Sequence, residues 1–447
     1  MRHFFKIFLI SLVFFGVNSF SSFAQDSTNN FRKTGWNVGA LPAISFSTDL
    51  GFQYGALANF FYYGDGTQYP DYLHSFYLEA SRYTLGSSAL RFYYDSDALF
   101  KGKKFALDIS YLVDQAYDFY GFNGLEAVYQ STWTDDAYEN NGYKTRMFYK
   151  YQRKLLRIKA DLQLPLKSVE HLFLHTGLGF FGYDINRVNI TKINDGLDAD
   201  EQLPSHDEQP GLFEQYLGWN LISADEADGG NLFLLKAGLV FDNRNNHSFP
   251  GKGLWTSFLF EYAPGIAGDF SFGKIALVHR QYFTLPLAFK PVFAYRAGYQ
   301  TTFSGHTPFF HQVYMMTTFF KSSLFEGLGG ENSMRGMLRN RVLADGFLYG
   351  NFEFRIKLLT VELFNQQFYL AINPFTDLGY VTQKIDVIYP GENPDYFSDK
   401  GPGLHTTYGA GFKVAMNENF VLSADMGFSA LKQDGDKGFY IGMNYLF

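Results

Sequence analysis

The last nine residues, Phe439-Tyr-Ile-Gly-Met-Asn-Tyr-Leu-Phe447, alternate without a break. Phe439, Ile441, Met443, Tyr445 and Phe447 fall on one side of an extended chain, with Tyr440, Gly442, Asn444 and Leu446 on the other. Successive side chains of a strand point to opposite faces, so this strand predicts one face in lipid and one in a polar interior. An open sheet cannot present such a strand to hydrocarbon, because the N–H and C=O groups at its edge would lack partners. The fold class implied is all-β: a closed, antiparallel transmembrane β-barrel of a Gram-negative outer membrane.

The other terminus agrees. Residues 1–24 carry Arg2 and Lys6, an apolar run from Ile7 to Val17, and a small-x-small site at Ser22-Phe23-Ala24. That pattern predicts a cleaved signal peptide, since the run is shorter than the ~20 apolar residues of a membrane span. Removing it leaves 35 basic against 44 acidic residues and moves the net charge from −7 to −9, which argues against nucleic acid as a partner. Aromatics reach 19%, as lipid-facing positions and interfacial girdles require. Cysteine is absent, so disulfides and thiolate metal sites are excluded.

Alternating segments predict sixteen strands. They lie near 38–48, 51–63, 72–83, 87–98, 104–116, 143–165, 170–184 and 231–243. The rest lie near 253–263, 270–284, 291–304, 346–360, 368–382, 404–417, 420–431 and 438–447. An even count returns both termini to the periplasm, and residues 25–37 then form a short periplasmic segment before a barrel at 38–447. The long connections 117–142, 185–230, 305–345 and 383–403 all fall outside, while 166–169, 285–290, 361–367 and 418–419 fall inside. Short external turns near Leu50 and at Thr84 to Gly86 break that pattern. Parity within the strands points Glu353, Arg355, Lys357, Asn373, Asp377 and Asp425 into the lumen, where charges need partners or water.

Loop 305–345 is long enough to fold back into the barrel. Its centre, Gly327-Leu-Gly329-Gly330-Glu-Asn-Ser-Met334-Arg335-Gly336-Met337, sets glycines around one arginine. Such a loop tip delivers a side chain to a defined place, and inward-facing Glu353 and Asp377 are natural acceptors for a guanidinium. With these motifs the chain resembles the BamA/TamA family of outer-membrane assembly barrels, the bacterial surface antigen family. The resemblance implies that the sixth external loop tucks Met334-Arg335-Gly336 into the lumen. It implies too that Arg335 meets Glu353 and Asp377. Asp242-Asn-Arg244, followed by Pro250-Gly-Lys-Gly253, resembles that family's Asp-x-Arg turn after strand 8. Met337 departs from the usual aromatic. Residues 25–37 are too few for the family's periplasmic POTRA domains, so the expectation is a barrel-only member, with a periplasmic or lipoprotein partner in place of those domains.

Near the first strand, Gly39 and Pro42 predict few ladder bonds to the last strand, Phe439 to Phe447, because proline has no N–H. In the family that seam opens sideways for clients; a proline tolerated near a strand end is the plainer reading. The function implied is insertion or translocation of client proteins, or lipids, at the outer membrane, with outer-membrane lipid as surroundings. A passive porin-like channel and a structural anchor for a partner remain the alternatives. No His-Glu-x-x-His, Gly-x-Ser-x-Gly or dinucleotide loop is present, so no enzyme, metal site or cofactor is expected.

Overall fold

The computed structural model describes residues 33–447 except 48–49, 70–71, 138–141, 247–248, 319–326, 364–365, 392 and 417–419. The expected signal peptide therefore lies outside the described residues. The remainder forms sixteen antiparallel strands closed on themselves. The first, β1, comes in two pieces, Trp36–Pro42 and Ser45–Ser47. There follow β2 Gly51–Tyr62, β3 His74–Tyr83, β4 Ser87–Phe100, β5 Lys103–Asp118, β6 Lys150–Pro165, β7 Leu172–Asn186 and β8 Gly229–Asp242. The second half comprises β9 Lys252–Pro264, β10 Ser271–Thr284, β11 Val292–Gly305, β12 Gly346–Leu363, β13 Gln366–Gln383, β14 Leu404–Met416, β15 Phe420–Ser429 and β16 Lys437–Met443.

Period-two patterning sets the wall. On β15, Leu422, Ala424 and Met426 face outward while Ser423 and Asp425 are buried inside. Leu90, Leu178, Leu235, Phe258, Leu277, Phe352, Phe354 and Phe412 continue the exposed apolar belt, the surface a barrel turns to hydrocarbon. Inside, charges are matched across strands. Arg91 and Arg157 converge on Asp108 at 2.7 and 2.9 Å, and Arg153 meets Asp114 at 2.7 Å. A buried charge left alone would cost far more than such a pair returns.

The long connections gather at one end and cover it. Phe119, Phe122, Phe213, Tyr216 and Phe309, from three loops, make edge-on ring contacts beneath that cap. The Asn123 side chain donates to Ile385 O at 3.0 Å and accepts from Ile385 N at 2.8 Å, adding the fourth loop.

Three expectations need correction. Residues 143–149 belong to this cap: Phe148 and Tyr149 pack on Trp133 and Tyr129, so β6 begins only at Lys150. The first strand is interrupted after Pro42, where Ala43 N turns to Gly55 O. The last strand ends at Met443. Asn444 adopts a left-handed φ of 70°, and this inverts the parity that places Tyr445 and Phe447 in lipid. Both are instead buried inside the barrel.

Candidate functional site: an interior arginine beside a short closing seam

Loop 306–345 enters the lumen through a tight chain reversal. Met334 N donates to Gly330 O at 3.1 Å, and the Ser333 hydroxyl bonds Gly327 O and Gly329 N. Gly329 and Gly330 take φ values of 118° and 96°. Met334 and Met337 are buried with Leu328, Phe347 and Tyr349. This fold projects Arg335, 1% exposed, toward β12 and β13. Its Nη1 donates to Glu353 Oε1 at 2.7 Å, Nε and Nη2 grip Asp377 at 3.1 and 3.0 Å, and the backbone N adds a third bond to Asp377. The guanidinium carbon also lies 3.5 Å from the Phe375 ring centre. Fork geometry explains the choice of arginine: its planar donors grip Asp377 with two bonds while a third reaches Glu353, an arrangement the point charge of an ammonium does not reproduce.

Close backbone approach locks the same loop to β15. A Cβ on Gly336 would fall 2.4 Å from Gly427 C, and one on Gly427 would fall 2.4 Å from Arg335 O. Neither position has room for a side chain. Gly336 N also donates to the Tyr440 hydroxyl of β16 at 3.2 Å, which ties the loop to the last strand.

Further contacts exceed what strand parity and motif spacing disclose. Arg355 bonds the second Glu353 oxygen at 2.8 Å and Phe447 O at 2.7 Å, with the Tyr445 ring 4.4 Å away. Glu353 thus links loop, wall and C-terminus. Arg339 reaches Asp118 at 2.8 Å, and Arg341 donates to Gly124 O and Ala127 O. Asp434 is buried, accepts from His405 at 2.8 Å and offers its carbonyl to Leu338 N. The signal for Arg339 and Arg341 was their spacing just past the motif, but nothing local names their partners.

The Asp242 turn forms a separate unit at the other end. Arg244 makes a bidentate pair with Asp242 at 2.9 and 2.8 Å. Gly253 has φ 99°, Pro250 is buried, and Phe249 packs on Tyr369 and Tyr445. The turn therefore touches the inverted C-terminus rather than Arg335.

Among the described residues the seam is short. β9 and β10 share thirteen residue pairs, from Lys252↔Phe283 to Pro264↔Ser271; β16 and the described part of β1 share two, Tyr440↔Ser47 and Ile441↔Phe46. Among the described residues, Trp36–Pro42, which includes Gly39 and Pro42, pairs with β2 alone. Phe439 contributes a ring contact to Phe46 at 6.0 Å. Phe447, expected on this seam, sits inside on Arg355.

Comparison with curated protein sequences returned no match. Among solved structures, the chain resembles BamA from Haemophilus ducreyi lacking POTRA domains 1-3. That match has a TM-score of 0.55 and 17% identity, covering 92% of this chain and 71% of that one. CdiB from Escherichia coli aligns with a TM-score of 0.50 and 10% identity, over 93% of this chain and 64% of CdiB. At such identities these likenesses speak for the fold. A model of the Omp85 superfamily domain matches residues 75–447, well beyond the stretch after residue 231 that carries the motifs, and the chain belongs to the Omp85 superfamily.

Proposed function

We propose that this barrel assists the insertion or translocation of polypeptides at the outer membrane by letting the β1–β16 seam part while the lumen stays plugged. The observation that carries the reading is the contrast, counted over the described residues, between two residue pairs at the seam and seven between β15 and β16 beside it, or thirteen between β9 and β10 elsewhere in the wall. Each backbone pair withheld from the ladder lowers the cost of opening there, and an opened edge offers N–H and C=O groups to an incoming strand. Arg335 holds the loop against β12, β13 and β15, so the plug need not move when the seam does. The chemistry is that of a scaffold and not of an enzyme. Partners in the periplasm deliver clients to it.

The test uses the absence of cysteine. Phe46→Cys with Ile441→Cys sets one disulfide across the seam, and the barrel is then assayed in proteoliposomes for insertion of an urea-unfolded outer-membrane protein. Activity should vanish on oxidation and return on reduction. Full activity in the oxidised form would remove seam opening from the mechanism.

A further inference from the structure

Among the described residues, the lumen is filled toward the external cap and leaves a cavity toward the periplasm. A cavity of about 900 Å³ opens among the turns that follow β4, β6 and β8, with Met315, Met316 and Asn332 of the long loop as its floor. That size suits a bound ligand of moderate bulk. Among the described residues, Lys103, Lys104, Arg244, Arg280 and Arg296 line it against two carboxylates, Asp97 and Asp242. A net-acidic chain has built a basic cup.

Two of these cations are placed in a way the fold alone does not require. The β10–β11 register sets Arg280 directly opposite Arg296, and like charges so placed repel. Arg280 lies 4.6 Å from the Trp255 ring, and its Nε is buried with no hydrogen-bond partner. Arg296 donates to Asn351 Oδ1 at 2.8 Å and Asn332 O at 2.9 Å, both neutral acceptors. Arg244, by contrast, is held by Asp242. Two guanidiniums therefore face the cavity with their charge unmet by a carboxylate of the described residues.

We propose that this cup receives acidic segments of polypeptide, with Arg280 and Arg296 taking carboxylates and Met315, Met316 and Trp255 taking neighbouring apolar side chains. The reading rests on the function proposed above and names the class of segment handled. Polypeptide is favoured over lipid because the cavity lies inside the wall, at the end away from the loop cap, and is already bordered by residues 446–447. Leu446 lines it, the Phe447 ring lies 5.5 Å from Arg296, and Arg355 binds the Phe447 carbonyl. Flexible thioethers suit a surface that accepts varied sequences.

The experiment titrates the barrel in nanodiscs with a fluorescein-labelled, amidated octapeptide of alternating Glu and Phe, its Lys-for-Glu counterpart, and dispersed short-chain phosphatidylglycerol as competitor. The acidic peptide should bind about tenfold tighter than the basic one, and Arg280→Gln should remove most of that preference. Arg280→Glu should invert it, which a misfolded variant could not do. Equal binding of both peptides, or an unaltered preference in Arg280→Gln, would overturn the proposal. Binding of phosphatidylglycerol without binding of the acidic peptide would overturn it in favour of a lipid. The oxidised Phe46→Cys/Ile441→Cys barrel should still bind the acidic peptide, so loss of the seam mechanism and loss of the cup register separately.

Discussion

Arg335 shows how much one side chain can organise when it is buried with two carboxylates. Removing it leaves Glu353 and Asp377 charged and without their shared partner, a change that costs about 3–5 kcal/mol in buried pairs. Arg335→Ala should therefore lower the temperature at which the folded barrel loses its compact migration on gels, and expose residues 327–341 to protease. Arg335→Lys should behave nearly as badly, because a point charge cannot reproduce the fork. Gly427→Ala should resemble both, since its Cβ would meet Arg335 O at 2.4 Å, whereas Gly39→Ala meets nothing within 4 Å and serves as the neutral comparison. Differential thermal melts of the four variants check this ordering; a stable Gly427→Ala protein would refute the close approach. The pairing of Arg335 with Glu353 and Asp377 was legible because strand parity fixes two of the three residues and the glycines mark the third. The partnership of Arg355 with the C-terminus was not. A single left-handed residue, Asn444, inverts the faces of everything after it, and hydrophobic alternation carries no trace of that turn.

At the scale of elements, strand number and most boundaries were legible because lipid on one side and a polar lumen on the other impose a strict period of two. The cap was not, since its residues are chosen by contacts between loops far apart in sequence. Residues 143–149 illustrate the loss: aromatic and polar residues that read as strand are packed on Trp133 and Tyr129 instead. The cap also has a pH dependence with a definite sign. His306 donates to Glu226 at 2.6 Å and that bond raises its pKa above the ordinary value of 6.5. Its stabilising contribution is complete below pH 6.5 and is lost as pH rises through the raised value. His311 does the reverse: burial, opposed by Glu261 and reinforced by Lys274, pushes it down to about 4. Stability should fall as pH drops from 6.5 toward that value, because the unfolded loop takes up a proton the folded one refuses. Protection of residues 306–314 against hydrogen exchange, corrected for the intrinsic pH dependence of amide exchange, should accordingly be greatest near pH 6 to 7. Loss of the alkaline limb in His306→Gln would assign it; an unchanged profile would discard the assignment.

The whole molecule is sided. Its external end is closed by four interlocked loops, its interior is held by Arg335, and among the described residues its periplasmic end keeps a basic cavity. Single-channel recordings across a planar bilayer should thus give small, fluctuating conductance; a large steady current would instead support a diffusion pore. The wall closes at β1 and β16, and the loop's bond to Tyr440 and the Glu353–Arg355–Phe447 relay place the plug beside that line. The most direct measurement is native-state hydrogen exchange of the barrel in nanodiscs, resolved to β16 and compared with β10. Amides of residues 437–443 that are bonded only toward the seam should exchange at least about tenfold faster than those of residues 271–284. Equal protection of the two strands would mean that the seam is as firmly closed as the rest of the wall.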